Sequence, residues 1–315
     1  MLSKFIDIAI IQGTIRMATP IMLAAMGAMV TGLSGIINIG LEGMMLLGAF
    51  FAVVGSYYFG SVWLGVAVAL LSGLIMALLF AIFTMKFRAH IILIGITINA
   101  FALAITVYFL RDWFNVAGAF SDNAIVGFNT VKIPIIKSIP ILGDIFSGYT
   151  PIVYLSWLII ISMHIILYKT PLGRHLRAVG ENAEASETLG IKVKGIKYLA
   201  VILSGIFSSL AGAYLSLGQL TMFTENMSAN RGFLGLAANI FGMGTPIGGA
   251  LASLIFGFAD SLAMRLQGWE TIPSQIVLMI PSALPILILL IFSVRKKKEL
   301  KNFKEENISK LLSGK

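Results

Sequence analysis

Gly173-Arg-His-Leu-Arg-Ala-Val-Gly-Glu-Asn-Ala-Glu-Ala-Ser-Glu-Thr-Leu-Gly190 is a polar stretch set between two apolar runs. One run ends at Leu167 and Tyr168 and the next opens at Tyr198. The stretch carries the marks of a short capped helix. Asn182 is placed as an N-cap, Glu184 and Glu187 fall where the positive end of a helix favours anions, and Gly190 suits a left-handed stop. Two turns of helix are marginal alone in water, so the segment is expected to gain stability by docking. An ordinary polar connector is the competing reading. The loop from Lys169 to Lys197 is, however, longer than the roughly 2–8 residues that usually join bundle helices.

The chain on either side fixes the class. Hydrophobic residues make up 58% of the 315 and charged residues 12%, with a mean hydropathy of +0.94. Soluble domains carry roughly 25% charged residues, so the solvent for most of this chain is hydrocarbon. There every backbone polar group needs an internal partner, leaving helical bundles or closed barrels. The apolar runs are continuous and near the ~20 residues a helix needs to cross a bilayer, not alternating as in barrel strands. The reading is an all-α polytopic membrane protein with about 8–10 transmembrane helices, some short or broken. Spans fall near 14–32, 38–58, 62–85, 91–110, 151–168, 198–217, 231–243, 246–266 and 273–293. The 231–243 run is short for a crossing at about 1.5 Å per residue. Thr31-Gly-Leu-Ser-Gly35 reads either as a loop or as a break within a membrane-embedded segment.

Orientation follows from lysine and arginine in short loops. Lys86 and Arg88 lie in one. Lys169, Arg174, Arg177, Lys192, Lys194 and Lys197 lie in the 169–197 loop. Arg295, Lys296, Lys297, Lys298, Lys301, Lys304, Lys310 and Lys315 lie in the tail. All three regions fall on one side of the span count, which places them and the C-terminus in the cytoplasm of a multi-pass plasma-membrane protein. The 111–150 segment is expected outside as an irregular cap, and the count puts the N-terminus outside too unless the chain re-enters near residue 33. One transmembrane domain over 1–294 is expected, followed by a basic tail over 295–315 lying against anionic lipid. The net charge of +9 follows the loops, which argues against nucleic acid as a partner, and the absence of cysteine excludes disulfides and thiolate chemistry.

Polar residues inside apolar runs are the candidates for a translocation pathway. Glu42, flanked by Gly40 and Gly43, is costly in hydrocarbon and marks a functional site unless it lies at the interface or pairs internally; Asn38 beside it can bond across helices. Around Gly242-Met-Gly-Thr-Pro-Ile-Gly-Gly249, glycine and proline predict a short helix before the break and a longer one after. Such broken helices expose backbone groups near transport pathways. Asn239, Phe241 and Asp260 lie on these helices, and Asn99 lies in another span. A simple interhelix hydrogen bond stays open for Asn239. Met22, Met26 and Met29 form a soft stripe that reads as helix packing. No Gly-x4-Gly-Lys-Ser/Thr phosphate loop occurs, so the chain is not expected to hydrolyse ATP or act as an enzyme itself, and any pumping must draw its energy from a partner. No cofactor or metal is expected on it.

The Gly173–Ile191 stretch resembles the coupling segment of ABC-importer permeases of the simple-sugar, branched-chain amino-acid and nucleoside group. Ser34-Gly-Ile-Ile-Asn-Ile-Gly-Leu-Glu-Gly-Met-Met45, Arg231-Gly-Phe-Leu-Gly-Leu-Ala-Ala-Asn-Ile-Phe-Gly242, and Gly257-Phe-Ala-Asp-Ser-Leu262 with Ile272-Pro-Ser-Gln275 are similar to the nucleoside (guanosine/uridine-type) branch. The resemblance covers nearly the whole chain apart from the 111–150 region and the tail. It implies the ABC-importer permease fold and a role in moving nucleosides across the cell membrane. It further implies a cytoplasmic ABC ATPase that uses ATP and Mg, a second and non-identical permease subunit, and an extracellular substrate-binding lipoprotein. The ATPase would be engaged through a 181–190 helix, with Arg177, Glu181, Asn182, Glu184, Ala185, Glu187 and Gly190 as coupling residues. Ser186 departs from the family, where alanine is usual. The alternative cargo is a simple sugar such as ribose or galactose. An ion-coupled secondary transporter would leave the docking helix unexplained.

Overall fold

The computed structural model describes residues 8–131 and 145–267. The chain divides into two compact units, Met1–Phe258 and Ala259–Lys315. In the second, only the end of one long helix is described. The expected 273–293 span, the basic tail and Pro134, Pro140 and Gly143 of the external segment lie outside the described residues.

Seven described helices are long and apolar enough to cross a membrane. They are α1 (Ile8–Leu33), α2 (Leu41–Phe59), α3 (Val62–Ala81) with a π-helical turn to Lys86, α4 (Ile91–Phe114), α5 (Pro151–Lys169), α8 (Val193–Ala213) with a π-helical extension to Leu220, and α10 (Pro246–Leu266). Between them stand α6 (Pro171–Glu181), α7 (Ala183–Thr188) and the short α9 (Arg231–Phe241). Two short strands, β1 (Ala119–Phe120) and β2 (Phe223–Thr224), pair antiparallel with Phe120 opposite Phe223.

α2 is the most enclosed of the long helices and packs against α3, α4 and α8. Small residues set these distances, as is usual where lipid offers no hydrophobic drive between helices. The backbone at Gly48 lies against Ser209, and that at Gly55 against Gly65. Toward the β1–β2 end, Phe50 meets Phe223 edge-on at 5.1 Å, and Phe114 stacks on Phe120 at 4.0 Å.

The polar loop after α5 differs from its expected form. It folds as two helices, α6 and α7, not one. Thr170 caps α6 by accepting the Gly173 N–H, Pro171 occupies its first turn, and Leu176 and Val179 are buried. α8 then begins at Val193, so Lys194 and Lys197 are helical residues and not loop. α1 likewise starts at Ile8, earlier than the 14–32 span.

The break after α1 is real and lies at 34–40, just past the expected stretch. Gly35, at φ +78°, ends the helix with the Ile36 N–H on the Thr31 carbonyl and its own N–H on that of Gly32, both at 3.0 Å. This is the two-bond glycine stop of many helices. The chain then turns back among the helices: Asn38 is fully buried and its Nδ2 donates to Ser204 Oγ at 3.0 Å. Ser204 stands about 16 Å along α8 from its start, at ~1.5 Å per residue. Buried irregular backbone of this kind persists in a bundle only where side chains satisfy it.

Candidate functional site

Asn38 within the break and Asn99 of α4 hold the 36–43 stretch. Asn38 Oδ1 accepts the Gly40 N–H at 3.0 Å. Asn99 of α4 accepts the Gly43 N–H at 2.8 Å and donates to the Ile39 carbonyl at 3.0 Å. Glu42 is buried, and its two oxygens accept the N–H groups of Asn230 at 2.8 Å and Gly232 at 2.7 Å. Those N–H groups open α9. Asn230 itself sits at φ +65° and makes no side-chain cap. A carboxylate on α2 therefore caps α9 from another helix, where the positive end of α9 stabilises the charge. Glu42 is thus paired within the bundle.

α9 lies along α1 at van der Waals distance. A Cβ on Gly235 would come within 2.5 Å of Ala24 Cβ, and one on Gly32 would meet Asn239 Nδ2 at 3.6 Å. The buried Oδ1 of Asn239 has no hydrogen-bond partner among the described residues. An orphaned acceptor at a helix junction is where a polar cargo or water can bond. Phe241 packs edge-on against Phe256 at 5.8 Å. Thr245 accepts the Gly248 N–H at 3.1 Å and so starts α10. Asp260 is half-buried on α10 in the second unit. The structure thus gathers Asn38, Glu42 and Asn99 around one backbone break and places Asn239 on the helix that break supports.

At the other candidate site, α6 and α7 form a bent arm. Asn182 joins them, with Oδ1 accepting the Ala185 N–H at 3.0 Å as expected for an N-cap. α7 ends as α1 does. Gly190, at φ +82°, donates to the Glu187 carbonyl and Ile191 to that of Ser186, both at 3.0 Å. Ser186 is buried and its hydroxyl bonds the Asn182 carbonyl at 2.8 Å, so the hydroxyl in place of alanine is satisfied within the turn. Glu181, Glu184, Ala185 and Glu187 are exposed. Arg177 is turned inward, with its guanidinium 5.4 Å from the Tyr168 ring, and joins α6 to α5.

Two residues the sequence reading passed over complete the arm. Leu189 is 81% exposed at its tip, above a cleft of about 530 Å³ lined by His175, Ile191 and Lys192. Gly180 packs directly on the end of α1: a Cβ there would collide with the Leu33 carbonyl oxygen. A glycine in the last turn of an amphipathic helix, one residue before its end, is the sequence signal for Gly180. Nothing in the local pattern distinguishes Leu189 from a core leucine.

With this arrangement in view, the family model for the permease component of branched-chain amino-acid transport systems matches residues 10–291. The chain belongs to this family. Among curated relatives, the permease is 36% identical over 297 residues to the guanosine ABC transporter permease protein NupQ of Bacillus subtilis (strain 168), covering 89% of this chain and 90% of the relative. It is 34% identical over 293 residues to the nucleoside ABC transporter permease protein NupC of Lactococcus lactis subsp. cremoris (strain MG1363), covering 90% and 92%. Among solved structures, an inward-facing metal-chelate type ABC transporter aligns over 90% of the permease and 85% of that chain, with a TM-score of 0.52 at 18% identity. That likeness is one of fold.

Proposed function

We propose that this permease is a membrane subunit of an ATP-driven importer of nucleosides, one domain over 1–294 with a basic cytoplasmic tail over 295–315. Its energy comes from a cytoplasmic ABC ATPase hydrolysing MgATP, whose surface receives α7. A second, non-identical permease subunit completes the pathway, and an external binding lipoprotein delivers the cargo. The observation that carries the coupling reading is the arm itself: a two-turn helix stopped at both ends, exposed at Leu189, and rooted through Gly180 on the end of α1. So short a helix is marginal alone, and an ATPase surface closing on its exposed face adds support. The nucleoside reading is supported by the two relatives named for guanosine and nucleosides.

A stroke on α7 reaches the membrane through a short path. Gly180 bears on Leu33 and Gly35, the chain from Gly35 runs to Asn38 and Glu42, and Glu42 holds α9. Moving the arm therefore moves the end of the short helix that carries Asn239. Co-purification with the ATPase, lost on inserting glycine after Glu184, is the expected result. A permease that transports as an isolated subunit without ATP would end the reading. Thermal shift of the companion binding protein with guanosine, uridine and ribose separates nucleoside from sugar.

A further inference from the structure

Arg16 lies inside α1, about 25 Å from the Gly180 contact at ~1.5 Å per residue. A guanidinium within a membrane-spanning helix marks a functional site by default. The Arg16 side chain is exposed and bonds no acceptor among the described residues. Its surroundings are nonetheless built. Its Cζ lies 5.9 Å from the centroid of the Tyr149 ring, and Tyr149 is 2% exposed with its hydroxyl donating to the Ile145 carbonyl at 2.6 Å. The face of a fixed ring therefore backs the cation. Burial pushes the Tyr149 phenol up to about 12, with the Arg16 charge drawing it back, so that ring is neutral.

The backbone of Arg16 is fixed as well. Pro20 has no N–H and leaves the Arg16 carbonyl without its helix partner. Tyr214 Oη and Gln219 Nε2 both donate to that carbonyl, each at 3.1 Å. Both belong to the π-helical end of α8, a form that recurs at functional sites. α1, the segment before α5 and the end of α8 thus converge on Arg16, Tyr149 at its guanidinium and Tyr214 and Gln219 at its carbonyl, and the guanidinium donors are unused among the described residues.

We propose that Arg16, backed by Tyr149 and Gln219, binds the base of the incoming nucleoside at the outer mouth of the pathway and favours bases with two adjacent acceptors on one edge. The planar fork of a guanidinium matches such an edge bidentately, as with O6 and N7 of a 6-oxopurine, whereas an ammonium offers a single point of charge. The inference rests on the nucleoside reading above and adds to it a residue and a preference.

Equilibrium binding of tritiated guanosine and uridine to the assembled transporter in nanodiscs, without binding protein, tests it. Arg16→Ala and Arg16→Lys are each expected to weaken guanosine binding about tenfold or more, and uridine binding about threefold or less. If Arg16→Ala does not assemble, Arg16→Lys decides alone. Guanosine affinity retained in Arg16→Lys would overturn the proposal, because simple charge would then suffice, as for a lipid phosphate or a carboxylate of the binding protein. Equal losses for both nucleosides would also overturn it. Wild-type transporter that binds neither nucleoside would strike the nucleoside reading itself, an outcome distinct from an Arg16 that makes no difference.

Discussion

The carboxylate of Glu42 accepts the backbone N–H of Gly232 at 2.7 Å, across 190 positions of the chain. This bond and its twin from Asn230 fasten the start of α9 to the start of α2. Two backbone donors depend on one side chain.

Glu42→Ala is accordingly expected to destabilise the permease by roughly 1–3 kcal/mol, the cost of leaving the buried Gly232 donor without a partner, with a smaller addition from the part-buried Asn230 donor. Glu42→Gln keeps one acceptor oxygen but sets its amide N–H against the other donor, so it should cost less than Glu42→Ala and more than nothing. Thermal unfolding in detergent, followed by tryptophan fluorescence, ranks the two; equal midpoints for wild type and Glu42→Ala would rule out the capping role.

Gly180→Ala places a methyl group against the Leu33 carbonyl. Overpacking of this kind costs typically ~1–3 kcal/mol, and here the least resistant response is to lift α6 off α1. The variant should still bind the ATPase through α7 but transport at least tenfold more slowly per ATP hydrolysed. Uptake and phosphate release measured together in proteoliposomes give that ratio.

Asn182→Ala removes the cap of α7 without touching the membrane bundle. Loss of an N-cap costs about 1 kcal/mol, so affinity for the ATPase is expected to fall about fivefold at that energy, with no change in the thermal midpoint of the permease. Titration of the purified ATPase onto immobilised permease reads the change.

Leu189→Asp is the sharpest probe of the docking surface. The side chain is 81% exposed. If it enters a pocket on the ATPase as an apolar anchor, its loss should cost ~2 kcal/mol or more of binding. An unaffected complex would move the contact elsewhere on the arm.

Much of the coupling arm was legible because its cues are local. Asn182, Gly190 and the intervening carboxylates read as a capped helix from neighbours within a few residues, and the helix sits where they place it. The same holds for the break at Gly242–Pro246, which separates α9 from α10. The α6 helix was passed over although Thr170 and Pro171 announce it, because the reading stopped at the polar character of the loop. The pathway candidates were less legible. Glu42, Asn38 and Asn99 are unusual for hydrocarbon, which the composition shows, but their partners are Gly232, Ser204 and Gly43, two of them more than 150 positions away. Arg16 is equally illegible, because the groups that fix it, Tyr149, Tyr214 and Gln219, come from distant parts of the chain.

Taken alone, the chain determined its solvent, its long apolar helices and the stops of the arm, since apolar length and capping depend on sequence neighbours. Only the tertiary structure decided which helix end Glu42 neutralises, that Gly180 bears on α1, and that Tyr214 and Gln219 fill the carbonyl Pro20 leaves open. The physical reason is that a buried polar group must be satisfied by whatever packing brings within about 3 Å, and in a bundle the residue that arrives there is set by how helices cross.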